Sequence, residues 1–502
     1  MCCMDIRRIP VIHTLQTQHV KGVYCGLEAK EGILKSTKGP NKAGRVVDLT
    51  SGPIWKRLIM FALPIMWANL FQQLYNTVDS LVVGQFVGHT ALAAVGATGP
   101  LTGLIIGFFM GMGTGSGVVI SQYYGAKEHE NLEKSVHTAM AVALVFGIVL
   151  GVLGILVSPL LLELMNTPDD VMDQAVLYLR IYFGGVITLT VYNIGSGILR
   201  AIGDSKRPLY YLIISGIANI VLNLLFVCVF QMGVAGVAWG TILSQLLSCI
   251  LVIINLVRCT DEYRLILSKI RFDKEIFIRI AKIGLPAGVQ SMVISLSNIV
   301  IQSKVNIFGS TAMAGYSAAN RIDGFVYMPL NALSLAMTTF TAQNLGAGNM
   351  ERAKKGTKTA IIMGLVVMIA AGWTAVLFSR PLIGLFSNEE NVIAYGIQTI
   401  TVLGGTYFLF TFNDILAGVI RGAGNAVVPM IISIFNMCIV RILWLTIILS
   451  IWQEYYLVLV CYPLTWGLSS LCYFIYYKKG HWLKSWQKVH YVKEKEPEQP
   501  QA

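Results

Sequence analysis

Charge is scarce in this chain. Only 13% of its 502 residues are Asp, Glu, Lys or Arg, against 55% hydrophobic, and the mean hydropathy is +0.65. That leaves too little polar surface for a water-soluble protein of this length. Alternation of apolar and polar residues with period two is missing, which excludes an outer-membrane barrel. No GxxxxGK[ST] loop occurs, and no soluble stretch is long enough to hold one, so an ATP-driven pump is excluded. HExxH and paired acids on one helix face are absent as well, which argues against an intramembrane enzyme. Residues 1–50 contain no apolar core of a signal peptide, so no cleavable leader is expected. The nine cysteines, among them Cys2, Cys3, Cys228 and Cys438, show no metal-ligand spacing and read as buried or cytosolic thiols.

What fills the chain is a succession of apolar runs. Each is about 20 residues long, enough to cross roughly 30 Å of hydrocarbon as a helix. The fold class is therefore all-α, a polytopic membrane protein of twelve transmembrane helices. The first six are expected near residues 58–83, 92–120, 137–157, 179–199, 209–230 and 234–257. The net charge of +12 does not point to nucleic acid, because most of the 38 Lys and Arg sit in alternate connections, for example Lys127 with Lys134 and Lys206 with Arg207. Intervening connections such as residues 84–90, 158–171 and 231–233 hold none. The positive-inside rule then puts both termini in the cytoplasm. The expected organisation is a cytosolic tail at 1–52, a first lobe at 53–257, a linker at 258–278, a second lobe at 279–478 and a cytosolic tail at 479–502.

The second half repeats the first. Ala62-Leu63-Pro64 returns as Gly284-Leu285-Pro286, and Gln122-Tyr123-Tyr124-Gly125-Ala126 returns as Gln343-Asn344-Leu345-Gly346-Ala347. Leu199-Arg200-Ala201-Ile202-Gly203-Asp204 returns as Ile420-Arg421-Gly422-Ala423-Gly424-Asn425, and Pro208 as Pro429. The last three share an offset of 221 residues, which identifies a true internal repeat. Six spans per repeat make the two copies parallel, as in transporters whose halves rock about a central cavity. The repeated glycines 125 and 346, and 203 and 424, are expected to end helices in the left-handed conformation.

Within the first span, ALPIMWANLFQQLYNTVDSLVVG, stands Asp79. A carboxylate in hydrocarbon costs about 2.5–3.5 kcal/mol, so such residues commonly handle ions or protons. The alternative is an aspartate reaching the headgroups or a structural donor. Asn219 and Asn223 share one face of the fifth span, and Thr241 lies in the sixth. Counting about 1.5 Å per residue brings Asp79, Asn223 and Thr241 to one depth, roughly 8–14 Å below the outer surface. One carboxylate, two amides and a hydroxyl suit a sodium ion, and they suit a proton carrier equally. Hydrogen bonding between helices is the other reading of the two asparagines and the threonine. The repeat bears on this choice, because it sets Ile301 opposite Asp79, and Val440 and Trp444 opposite Asn219 and Asn223. A polar set present in one half only is expected of a dedicated site. The second half has charges of its own, Arg321, Asp323, Asp414 and Arg441, a candidate second site in which Asp414 and Arg441 also read as a structural pair. Met292, Phe325, Tyr327, Phe340, Tyr407 and Phe408 supply surfaces that attract organic cations or simply pack.

The segment DLTSGPIWKRLIMFALPI, Asp79, the two QxxGA motifs, LRAIGDSKRP followed by NIVLN, and IRGAGNAVVP together resemble the multidrug and toxic compound extrusion family over about residues 49–477. The resemblance implies two six-helix lobes in a V, and export of organic cations or hydrophobic drugs in exchange for sodium or protons. A monomer in the cell membrane is expected, with small-molecule substrates, no nucleic-acid partner and no cofactor beyond the coupling ion. Where one subfamily carries a second aspartate in the fifth span, this chain has Asn223. A flippase of lipid-linked precursors shares the related superfamily fold and is the alternative. Its anionic cargo would call for several cavity arginines, and inside the spans the sequence offers Arg321 and Arg441.

Overall fold

Apolar segments that meet no water must close their backbone hydrogen bonds within themselves. The computed structural model describes residues 46–165 and 167–483, and no strand occurs among them. Helix α1 (Ile54–Val82) continues into a π-helical turn, Val83–Val87, and is followed by α2 (His89–Ala126), α3 (His129–Leu164), α4 (Asp169–Gly184) and α5 (Val186–Ala201). Then come α6 (Lys206–Leu224), with its own π turn at Leu225–Val229, and α7 (Gly233–Arg258). After the connection the second set runs α8 (Lys274–Asn306), α9 (Gly309–Gly346), α10 (Met350–Leu377), α11 (Ser379–Gly384) and α12 (Glu390–Gly422). It ends with α13 (Val427–Ser433), a π segment Ile434–Val440, α14 (Arg441–Ile451) and α15 (Tyr455–Lys478). The first and last parts of the expected cytosolic tails, 1–45 and 484–502, lie outside the described residues. Helix α8 begins within the stretch read as linker, because Asp273 accepts hydrogen bonds from the amides of Glu275 and Ile276, both at 3.1 Å, and so caps it.

Among the described residues ten helical runs are long and apolar enough to cross a membrane, and α4 with α5, bent by 47°, makes an eleventh. The fourth expected span is thus a broken one. Gly185 stands at the break, where its carbonyl takes the Thr188 hydroxyl at 2.7 Å and a Cβ would strike the Ile242 side chain at 2.4 Å. The remaining expected span is α9. It is 38 residues long but carries Asn320, Arg321, Asp323 and Asn331, a polar set that lowers its hydropathy, and it packs between α2 and α12.

Helix ends repeat as the sequence does. Gly203 and Gly424 have φ of 98° and 89°, as expected. Gly203 N bonds Arg200 O at 2.9 Å and Asp204 N bonds Leu199 O at 2.9 Å; Gly424 N bonds Arg421 O at 2.8 Å and Asn425 N bonds Ile420 O at 3.2 Å. This double closure terminates a helix at a left-handed glycine. The next residue then starts the following helix. Asp204 Oδ1 accepts from the amides of Lys206 and Arg207, both at 3.1 Å, and Asn425 Oδ1 accepts from Val428 at 3.3 Å.

Gly125 and Gly346 depart from the expectation. Both are helical, and the left-handed position falls to Lys127 in one repeat and Gly348 in the other, with φ of 57° and 72°. Close approach is what requires glycine here, since a Cβ on Gly125 would lie 2.1 Å from Gln343 O and one on Gly346 would lie 2.1 Å from Gln122 O. Helices α2 and α9 therefore cross backbone to backbone at the basic end of the bundle, which carries Lys127, Lys206 and Arg352. Residues 47–51 strap the same end. Val47 N bonds Gly203 O at 2.9 Å in the first repeat, while Arg352 of the second donates to Leu49 O at 3.2 Å and Ser51 O at 2.8 Å.

The repeats also exchange their first helices. Leu58, Phe61 and Ile65 of α1 belong to the apolar core of the second repeat, and Ile276, Ile280 and Ile283 of α8 belong to that of the first. Packing of α8 on α2 rests on paired small-residue motifs, in which a Cβ on Gly111 would lie 2.2 Å from Gly288 N and one on Gly115 2.5 Å from Gly284 N. Two GxxxG faces in register allow this approach, which dispersion stabilises where no hydrophobic drive exists.

Candidate functional site

Asp79 sits on α1 one turn before the π-helical stretch, near the end opposite the basic one. Asn223 on α6 donates its Nδ2 to Asp79 Oδ1 at 2.5 Å, and Asn219, one turn earlier, offers its Oδ1 to the same Nδ2 at 3.4 Å. Both asparagines are buried, with exposures of 0% and 1%, and among the described residues Asn223 Oδ1 has no partner. Asn223 fits because α7 presents Gly240 to it, where a Cβ would fall 2.0 Å from Asn223 Oδ1. Gly240 carries no local sequence signal, since its role is a contact with another helix. Thr241 is turned about 100° from it around α7 and donates its hydroxyl to Val237 O at 3.0 Å. The arrangement is a carboxylate held by neutral amides, with a spare amide oxygen beside it.

Asn219 also lines a cavity of about 120 Å³ in the first repeat, together with Asn69, Gln72, Tyr75, Asn193 and Arg200. A second cavity, about 370 Å³, lies in the second repeat, and Met110, Thr114, Asn331 and Leu335 border both. Asp323, Asp414 and Arg441 line the second cavity, whereas Arg321 is exposed on the far side of α9. Tyr407 donates to Asp323, and Tyr327 donates to Asp414 at 3.1 Å. Asp414 and Arg441 form no ion pair. Arg441 instead bonds Ser297 at 3.3 Å and Thr465 at 3.0 Å and lies 4.9 Å from the centre of the Tyr462 ring. The repeat aromatics divide: Tyr327 and Tyr407 reach this cavity with Phe410 and Trp466, while Phe340 is core and Phe325 and Phe408 are 45% and 40% exposed. Helical periodicity around Asn413 and Asp414 marks a polar face but does not name its partner helix, so Phe410 and Trp466 were not legible.

Sequence reasoning also passed over two arginines. Arg200 lines the first cavity and Arg421, its counterpart at the repeat offset, lines the second. They stand in the very motifs that reveal the repeat, where the adjacent glycines drew the reading.

The MatE family model matches residues 64–225 and again 286–447, once per repeat. A probable multidrug resistance protein of Bacillus subtilis (strain 168), YoeA, is 30% identical over 434 residues, covering 85% of this chain and 94% of that protein. The multidrug export protein MepA of Staphylococcus saprophyticus is 24% identical, over 74% of this chain and 83% of its own length. Among solved structures, a transporter of the MOP superfamily from Pyrococcus furiosus aligns with a TM-score of 0.82 at 23% identity, covering 89% of this chain and 99% of that one. An outward-facing multidrug resistance MATE family transporter aligns at 0.81 and 22%, with the same coverage. With both repeats matched and the fold shared over most of its length, this chain belongs to the MatE family of multidrug efflux transporters, membrane proteins of many spans.

Proposed function

We propose that the protein is a secondary active antiporter of the cell membrane, which exports organic cations or hydrophobic drugs in exchange for sodium or protons by alternating access. It works as a monomer with the basic end and both termini in the cytoplasm, a placement supported by the charge asymmetry of the connections. The observation that carries the coupling role is Asp79, a carboxylate inside the bundle whose side-chain partner is the neutral amide of Asn223. A structural aspartate would be expected beside a cation. Asp79, Asn219, Asn223 and Thr241 form the coupling site in this reading, and Asp323 and Asp414, with the aromatic wall of Tyr407, Phe410 and Trp466, receive the cationic substrate. Coupling requires that ion and substrate bind unequally to the two states, and the single carboxylate is the group able to neutralise either ion. The neutral oxygens favour sodium, since a proton carrier has no need of them.

Efflux of a cationic dye from vesicles under an imposed ion gradient tests the reading. Asp79→Asn abolishes gradient-driven efflux while dye binding persists. A sodium-coupled protein responds to sodium at fixed pH, and a proton-coupled one stops when the pH gradient is collapsed. Full efflux by Asp79→Asn would move the coupling role to Asp414.

A further inference from the structure

The two cavities differ in charge. The second contains Asp323 and Asp414 alongside Arg421 and Arg441, whereas the first has one charged residue on its wall, Arg200, and no carboxylate. Among the described residues no acid stands within ion-pair distance of Arg200. Its repeat counterpart Arg421 is tethered to Gln290 at 3.3 Å and Ser334 at 3.5 Å; among the described residues Arg200 has no such tether. An unpaired guanidinium in a membrane bundle is costly, and it is kept where something else supplies the negative charge. A further donor on the same wall lacks an acceptor among the described residues, Ser205 Oγ, on a residue only 2% exposed.

We propose that the first cavity holds an oxyanion subsite, in which Arg200, aided by Ser205, binds a carboxylate or phosphate carried by the exported molecule. The body of that molecule passes the shared border at Met110, Thr114, Asn331 and Leu335 into the second cavity. There an amine meets Asp323 and Asp414. The preferred substrates are thus amphoteric organic molecules, with an oxyanion and a cationic amine separated by an apolar or aromatic body. This rests on the export reading above, in that it takes the two cavities as one substrate path.

A xanthene dye bearing an amine and a free benzoic acid, compared with its methyl ester, tests the subsite in the purified full chain by fluorescence anisotropy. The acid binds about tenfold more tightly than the ester, the size of a charge-assisted hydrogen bond. Arg200→Gln removes that preference by weakening the acid alone; Arg200→Lys keeps part of it. Retained binding of the ester shows that the variant is folded. Repeating the measurement in phosphatidylcholine bilayers with and without phosphatidylglycerol separates the sources, since competition by the anionic lipid assigns the subsite to a headgroup phosphate. Equal affinities for acid and ester, or an Arg200→Gln variant that weakens both alike, would overturn the proposal. Failure of gradient-driven efflux of both dyes, with the acid preference intact, would instead count against the export reading.

Discussion

Gln122 and Gln343 bond in opposite directions across the same seam. Gln122 Nε2 donates to Gly422 O at 3.2 Å, and Gln343 Nε2 donates to Ala201 O at 2.6 Å. Each second helix of a repeat thereby holds the helix end of the other, beside the crossing of Gly125 and Gly346. Arg279 adds a third hold, donating to Gln122 Oε1 at 3.1 Å. The basic end is closed by this reciprocal clasp.

A methyl group at the crossing should force it apart. In Gly125→Ala or Gly346→Ala the new Cβ meets a backbone oxygen at 2.1 Å, a clash that no side-chain rotation relieves. Spin labels at positions 127 and 348 should report a longer and broader separation than in the parent protein. Gln122→Ala removes one hydrogen bond, worth about 0.5–1.5 kcal/mol, and should shift the distance less. Unchanged distances in both glycine variants would show that the clasp does not set the closure.

Gly240 offers a way to move Asn223 without touching it. Gly240→Ala places a Cβ on Asn223 Oδ1, so the amide must turn away from Asp79. Half-maximal stimulation by the coupling ion should require roughly tenfold more ion, the equivalent of one net charge-assisted bond, with efflux at saturating ion largely kept. Wild-type ion dependence in this variant would remove Asn223 from the site.

Asp204 and Asn425 occupy equivalent corners with unequal bonding. Asp204 accepts from two amides and pairs with Arg207 Nε at 3.3 Å, whereas Asn425 accepts from one amide. Loss of such a helix-start acceptor costs about 0.5–2 kcal/mol. Thermal melting in detergent should fall further for Asp204→Ala than for Asn425→Ala. The reverse order would refute the assignment of Asp204 as the stronger corner.

Orientation can be read by thiol labelling in a chain without its own cysteines. A cysteine at exposed Gln231 should react with an impermeant maleimide added to intact cells, and one at exposed Lys127 should react only after the membrane is opened. The opposite pattern would invert the topology.

Much of this architecture was legible because a repeat writes its corners twice. The left-handed Gly203 and Gly424 follow from the constant offset and from glycine chemistry alone. Gly125 and Gly346 look the same in sequence, yet their role is contact between helices far apart in the chain, which no local pattern encodes. Hydropathy located α4 and α5 but not the break at Gly185, which Ile242 of α7 occupies from outside. For the site, helical spacing put Asn219 and Asn223 on one face, and depth counting brought them toward Asp79. Sequence spacing could not show that Asp414 turns to Tyr327 and Arg441 to Thr465, because azimuthal packing of neighbouring helices decides such pairings.

Two of the seams between the repeats differ in compliance. Along α2 and α8 the GxxxG faces bring backbone against backbone at Gly111 with Gly288 and Gly115 with Gly284, so this edge has few rotamers that can absorb displacement and behaves as the spine of a book. Along α1 and α9 the repeats meet through side chains, with Asn69 bonded to Asn331 at 3.1 Å and Leu58, Phe61 and Ile65 lodged among residues of the second core. Rotation of those side chains lets this edge yield first. The molecule therefore has a stiff margin and a soft one, and Asn331, which borders both cavities, stands on the soft margin.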